Sequence, residues 1–236
     1  MEQYNKIYFA DLEKGESVEF PRNLRILEEI EVFKKLGKLL DVGIGTGLFL
    51  KIAREHGWKV IGVDVSSYSV NKAKKYGFEV YKEELGTIPF GNNFFDVVNM
   101  RHSIEHVENP KKVLTEAYKI LKPGGVICIA TPNSFGIHAR IFGKDWPHLS
   151  LPYHLHFFSK KSLSTLVESI GFKVLQLKTE ELTIYDVFKL FLFKIGIPIK
   201  YQNPSKFAIF VNNLLATLGL GEGILLIAKK IENEKA

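Results

Sequence analysis

Three glycines alternate through Gly43, Gly45 and Gly47, just after a short apolar run that ends in Asp41. Glycine adopts left-handed backbone at little cost, so this spacing lets the chain turn sharply off a strand. It also lets the backbone approach a ligand more closely than a Cβ would allow. A dinucleotide fingerprint requires its third glycine three residues beyond the second, where this chain has Leu48. The carboxylate of Asp41 would repel a pyrophosphate and attract a cation. The turn therefore suits a cationic ligand without phosphate.

A second set of reactive side chains lies in Arg101-His102-Ser103-Ile104-Glu105-His106. On a helical turn, His102, Glu105 and His106 would share one face. An imidazole there could remove a proton from an acceptor near neutral pH. The same three residues could instead ligate a transition metal such as zinc or manganese, or cap and hydrogen-bond the loop ahead of Pro110. The literal H-x-x-E-H match to a metalloprotease pattern lacks a third ligand and a helical context. Further on, Trp146-Pro147-His148 and Tyr153-His154-Leu155-His156-Phe157-Phe158-Ser159 concentrate more imidazoles. His154 and His156 could face an acceptor and share the role of base with His102. Alternatively, His156 could bond the end of a sheet, with Ser159 capping the next helix.

The elements that must position these groups alternate between strand-like and helix-like runs, the pattern of a parallel sheet covered on both faces. Strands are expected at 39–42, 59–63, 78–81, 95–100, 126–130 and 172–177, and a last one at 223–231. Helices are expected at 48–56, 69–76, 109–121 and 162–170, with Gly57, Gly77 and Gly171 as stops. Asn109 reads as an N-cap before Pro110, and 122–125 as a turn. Two segments interrupt the alternation: 133–159, rich in histidine and aromatic residues, and 180–221, a strongly apolar stretch with two helix-like runs. Both follow strand ends, where segments can cover a ligand crevice.

S-adenosylmethionine (SAM) carries an ammonium and a sulfonium and no phosphate, so it meets the demands of the glycine turn. The turn, the acid Asp64 after the second strand, FDVVNM and LKPGGVICIATPN together resemble class I SAM-dependent methyltransferases over about residues 35–178. The resemblance implies one methyltransferase domain over 1–236, with a Rossmann-like doubly wound α/β sheet. That sheet is mostly parallel with a last antiparallel strand, and a helical apolar insertion precedes that strand. It implies a cofactor site made of Asp41, Gly43, Gly45, Gly47, Asp64, Val65, Glu84, Leu85, Met100 and Arg101. Asp64 would accept the ribose hydroxyls, Glu84 and Leu85 would meet adenine, and the backbone of Met100 and Arg101 would lie near the methionine moiety. His102, His106, His154 and His156 are then the candidate catalytic residues. The 101–106 stretch is also similar to a Glu-x-x-Glu-His stretch in quinone-biosynthesis O-methyltransferases that has been linked to a divalent metal. Here His102 replaces the first glutamate, so no metal is called for, although His102, Glu105 and His106 are the residues that would hold one.

The chain has 236 residues and a net charge of +6. Its lysines are scattered, with no basic stripe interleaved with aromatics, so a nucleic-acid partner is not expected. A single cysteine, Cys128, cannot form an internal disulfide, and the amino terminus does not read as a signal peptide. A cytoplasmic setting follows as the expectation, with peripheral membrane contact or a homodimer through 180–221 as the partners that stretch would suit. The leading reading is methylation of a small-molecule acceptor, at an oxygen of a quinol-, lipid- or sugar-type compound. A nicotinamide-dependent oxidoreductase and a non-catalytic SAM-binding protein stand as alternatives.

Overall fold

The computed structural model describes residues 16–180, 214 and 216–231. Seven strands form one sheet: β1 (Lys38–Val42), β2 (Lys59–Val63), β3 (Glu79–Tyr81), β4 (Phe95–Arg101), β5 (Leu121–Pro132), β6 (Phe172–Glu180) and β7 (Gly223–Lys230). Their order is β3-β2-β1-β4-β5-β7-β6. The first five strands pair in parallel, and β7 runs antiparallel between β5 and β6. This is the Rossmann-like sheet, with its last strand antiparallel, that the motifs implied.

Apolar runs without alternation suit strands buried on both faces, and successive side chains of a strand point to opposite faces. One face carries Leu40, Val98 and Ile127 against α4 (Pro110–Ile120) and α6 (Lys160–Glu168). The other carries Leu39, Val97 and Val126 against α1 (Glu16–Phe33) and α2 (Leu48–Glu55). The helix starts are specified locally: Asn109 Oδ1 accepts the Lys112 N–H at 3.0 Å, and Ser159 and Ser162 form a reciprocal capping box. Two further helices are α3 (Ser67–Lys75) after β2 and the short α5 (Ile137–Phe142) after β5.

Two features depart from the sequence expectation. Helix α1 is not among the expected elements, and it runs through Pro21, with Ile26, Leu27 and Ile30 fully buried on the sheet. Residues 122–125, expected as a turn, belong to β5. Leu121 pairs with Phe95 and Val126 with Val97, so the residues between them bulge opposite Asp96. The apolar helices expected within 181–213 lie outside the described residues.

The chain winds from β1 through β2 to β3 on one side and from β4 to β5 on the other. Ligands of such sheets bind where the winding reverses, beyond the carboxyl ends of the strands. Here that places the crevice at the ends of β1 and β4. The turn after β1 packs tightly on β2: a Cβ on Gly62 would come within 2.6 Å of Ile44 Cγ2 and 2.9 Å of Val80 Cγ1. Gly62→Ala is therefore expected to cost about 1–3 kcal/mol, read as a lower urea midpoint with unchanged slope.

Candidate active site

All three glycines of the turn are left-handed, with φ of 82° at Gly43, 54° at Gly45 and 83° at Gly47. Their reasons differ. A Cβ on Gly43 would lie 2.8 Å from Ser103 Cβ, whereas among the described residues no atom lies within 4 Å of one on Gly45. Gly43 is thus demanded by packing against the segment after β4. Gly45 leaves open space of the kind a closely approaching ligand needs.

Two carboxylates flank this space. Asp41 is almost fully buried and accepts a 2.7 Å hydrogen bond from Asn99 Nδ2. Burial pushes its pKa up to about 7, against the Asn99 hydrogen bond and the Arg101 charge. Asp64 is also raised by burial, opposed by backbone hydrogen bonds. Its Oδ1 accepts the Ser66 N–H at 2.8 Å and its Oδ2 the Gly45 N–H at 3.2 Å. The Ser69 side chain and the Ile44 backbone also bond this carboxylate, so it is held in a fixed orientation beside the turn. The open glycine turn between two acids fits SAM, which carries an ammonium and a sulfonium and no phosphate, and whose ribose presents two hydroxyls.

The remaining cofactor candidates are placed as follows. Val65 is exposed, Leu85 is buried and Met100 is fully buried, leaving Met100 only its backbone to offer. Glu84 is exposed. The guanidinium of Arg101 donates to Asn23 of α1 and lies 3.8 Å from Glu19. Asn99 and Asn23 were not singled out from sequence. A polar residue inside the apolar strand FDVVNM was the signal for the first; the second sits on the unanticipated helix.

The other residue set follows β4. His102 is left-handed (φ 46°), and a 3-10 turn spans Ile104–His106. Glu105 is 1% exposed. Its Oε2 accepts the Thr131 hydroxyl at 3.0 Å, and its Oε1 lies 3.4 Å from His102 Nδ1. Burial opposes ionisation of Glu105, but His102 outweighs it and the pKa is lowered. The Glu105 carbonyl accepts the N–H groups of Leu155 (2.8 Å) and His156 (3.1 Å), which draws the 133–159 segment onto this turn.

His106 Nδ1 lies 2.8 Å from the Tyr153 carbonyl and His154 Nδ1 lies 2.7 Å from the His148 carbonyl. A carbonyl only accepts, so in both rings Nδ1 carries a proton, and in the neutral ring Nε2 is the nitrogen with the lone pair. The two rings stand edge to face, 4.7 Å between centroids. Burial lowers the pKa of His154. Glu105, His106 and His154 each offer one ligand atom within 4.8 Å of the others. The structure thus gathers His106 and His154 around Glu105, while His102 contacts Glu105 without joining this cluster. His156 turns its Nε2–H to the Glu108 carbonyl at 3.3 Å. Thr131, which holds Glu105, carried no sequence signal.

A family profile described as a methyltransferase domain matches residues 18–177, more than half of the chain. The chain belongs to this methyltransferase family. Its methyl donor is accordingly SAM. An uncharacterised protein of Methanocaldococcus jannaschii is 31% identical over 148 residues, covering 61% of this chain and 70% of the relative. A ubiquinone biosynthesis O-methyltransferase of Cereibacter sphaeroides is 33% identical over 138 residues, covering 52% of this chain and 53% of the relative. The chain therefore matches about half the length of that enzyme. Among solved structures, a SAM-dependent methyltransferase of Archaeoglobus fulgidus superposes with a TM-score of 0.64 at 24% identity, covering 88% of this chain and 92% of the other. A possible histamine N-methyltransferase of Thermotoga maritima gives 0.66 at 22% identity, covering 98% and 100%.

Two outcomes are expected of this methyltransferase. Below about pH 7 an empty Asp41 is protonated, and a bound ammonium would favour the carboxylate. Affinity for S-adenosylhomocysteine, measured by calorimetry, should then fall roughly tenfold per pH unit as pH drops below that point, and Asp41→Asn should flatten the dependence. Gly45→Ala should cost about 1–2 kcal/mol of stability from left-handed strain alone, while weakening S-adenosylhomocysteine binding far more than that strain accounts for.

Proposed function

We propose that this methyltransferase methylates an oxygen of a small-molecule acceptor of quinol, lipid-linked or sugar type, with the His106–His154 pair supplying the base. The observation that carries this reading is the shared tautomer of the two rings. Each Nδ1–H is committed to a backbone carbonyl, so in the neutral rings Nε2 is the nitrogen left to take a hydroxyl proton. The likeness to the Cereibacter sphaeroides enzyme supports an oxygen acceptor of quinol type. Exposed Leu149, Leu151, Leu155 and Phe157 on the neighbouring segment support an acceptor with an apolar tail. Such a substrate would bring the enzyme to a bilayer surface peripherally; no helix among the described residues is long and apolar enough to cross a membrane.

In this reading the glycine turn and Asp41 hold the methionine end of the cofactor, Asp64 the ribose, and Val65, Glu84 and Leu85 the base. When bound, SAM supplies an electrophilic methyl group on a sulfonium. Nε2 of His154 or His106 takes the acceptor's hydroxyl proton as the oxygen receives the methyl group. Residues 133–159 would cover the acceptor and exclude water.

A second reading rests on the same cluster. Glu105, His106 and His154 have the donor set for a divalent zinc or manganese ion, which would lower the acceptor's pKa.

Methyl transfer to hydroquinones and catechols with apolar tails, followed by mass spectrometry, tests both. His106→Ala with His154→Ala should lower kcat by about 10²–10⁴ and leave S-adenosylhomocysteine affinity intact, whereas Asp64→Ala should abolish that affinity. Full turnover in the double variant would sink the base reading. Turnover that survives chelation, with no metal in elemental analysis, would remove the metal.

A further inference from the structure

We propose that Glu222 is a positioning residue for the acceptor site, fixing the tautomer of His154 through a clamp on His138 and His148. This rests on the reading that His154 faces the acceptor. Glu222 precedes β7 and belongs to no motif of the cofactor or acceptor sites. Its Oε1 lies 2.9 Å from Nδ1 of His138 and 3.1 Å from Nε2 of His148. An ionised carboxylate only accepts hydrogen bonds, so both of those nitrogens carry protons.

The clamp joins two distant parts of the 133–159 segment to the sheet. His138 sits on α5 and is 2% exposed, and the Glu222 carbonyl also accepts the Asn133 N–H at 2.7 Å. Once the His148 ring is held, its own carbonyl is fixed 2.7 Å from His154 Nδ1. That contact admits only the tautomer with Nε2 unprotonated. Packing reinforces it: the His148 and His154 rings lie within 10° of parallel at 6.3 Å, and Trp146 meets His148 at 5.5 Å. Burial opposes ionisation of Glu222, but the hydrogen bonds from His138 and His148 outweigh it and hold the carboxyl at about 2. The two histidine contacts thus favour the ionised carboxylate, the form that accepts from both rings. The same arrangement, a ring nitrogen oriented by an acceptor behind it, fixes catalytic imidazoles elsewhere.

Long-range ¹H–¹⁵N spectra of the full-length protein, without acceptor and at one fixed pH, read the tautomer of each histidine. The wild type should show His154 protonated at Nδ1 and His148 at Nε2. In Glu222→Ala both signals should become mixtures of tautomers, and Glu222→Gln, which keeps an acceptor oxygen, should restore them. Affinity for S-adenosylhomocysteine should be unchanged in both variants. If Glu222→Ala does not fold, His148→Phe takes its place, because it deletes the clamped ring and keeps the carbonyl; His154 should again become a mixture. A His154 that remains wholly Nδ1-protonated in the folded variant overturns the proposal. The clamp stands by itself if the tautomers mix while His154→Ala retains full turnover; in that case only the reading of His154 as base falls.

Discussion

The packing of Gly43 against Ser103 is the constraint on which both halves of the site depend. A Cβ at Gly43 would meet Ser103 Cβ at 2.8 Å, so the turn after β1 and the segment after β4 can touch only through a glycine. That contact lies at the point where the sheet reverses its winding, where the carboxyl ends of adjacent parallel strands diverge and leave a crevice. The glycine turn and the histidine-bearing turn are therefore neighbours through the topology of the sheet, although more than fifty residues of chain separate them.

Electrostatics around the crevice follow from burial. A carboxylate removed from water is costly unless hydrogen bonds or charges compensate. Asp41 receives one side-chain hydrogen bond and remains poised near neutrality, whereas Glu105 and Glu222 each have histidine partners that keep them ionised. An acid poised in this way is prepared to gain charge when a cation arrives. Acids already paired serve to orient the groups that pair with them.

The 133–159 segment shows how an irregular stretch becomes ordered without strands. It is held by the Glu105 carbonyl, by the Asn133 side chain bonding to the Gly219 and Gly221 carbonyls, and by the Glu222 carboxylate against the His148 ring. The Asn133 tie satisfies a buried amide that would otherwise be unpaired. The result brings His154 beside His106 and leaves apolar side chains exposed on the outside.

Local chemistry made much of this legible in the sequence alone. The glycine spacing, the acids after the first two strands, the caps at Asn109 and Ser159 and the unbroken apolar strands all act within a few residues, so their consequences can be read from order and spacing. Helix α1 was not legible, because its stability comes from burying Ile26, Leu27 and Ile30 on the sheet. Nor were the pairing of His106 with His154, the Thr131 hydroxyl on Glu105, or the Glu222 clamp. Each joins residues from different elements, and sequence spacing carries no information about which side chains meet across a fold. The glycine turn and its neighbouring acid were set by residues adjacent in the chain; which imidazole nitrogens are held, and against which carbonyls, was decided by tertiary hydrogen bonds that only the folded chain brings within reach.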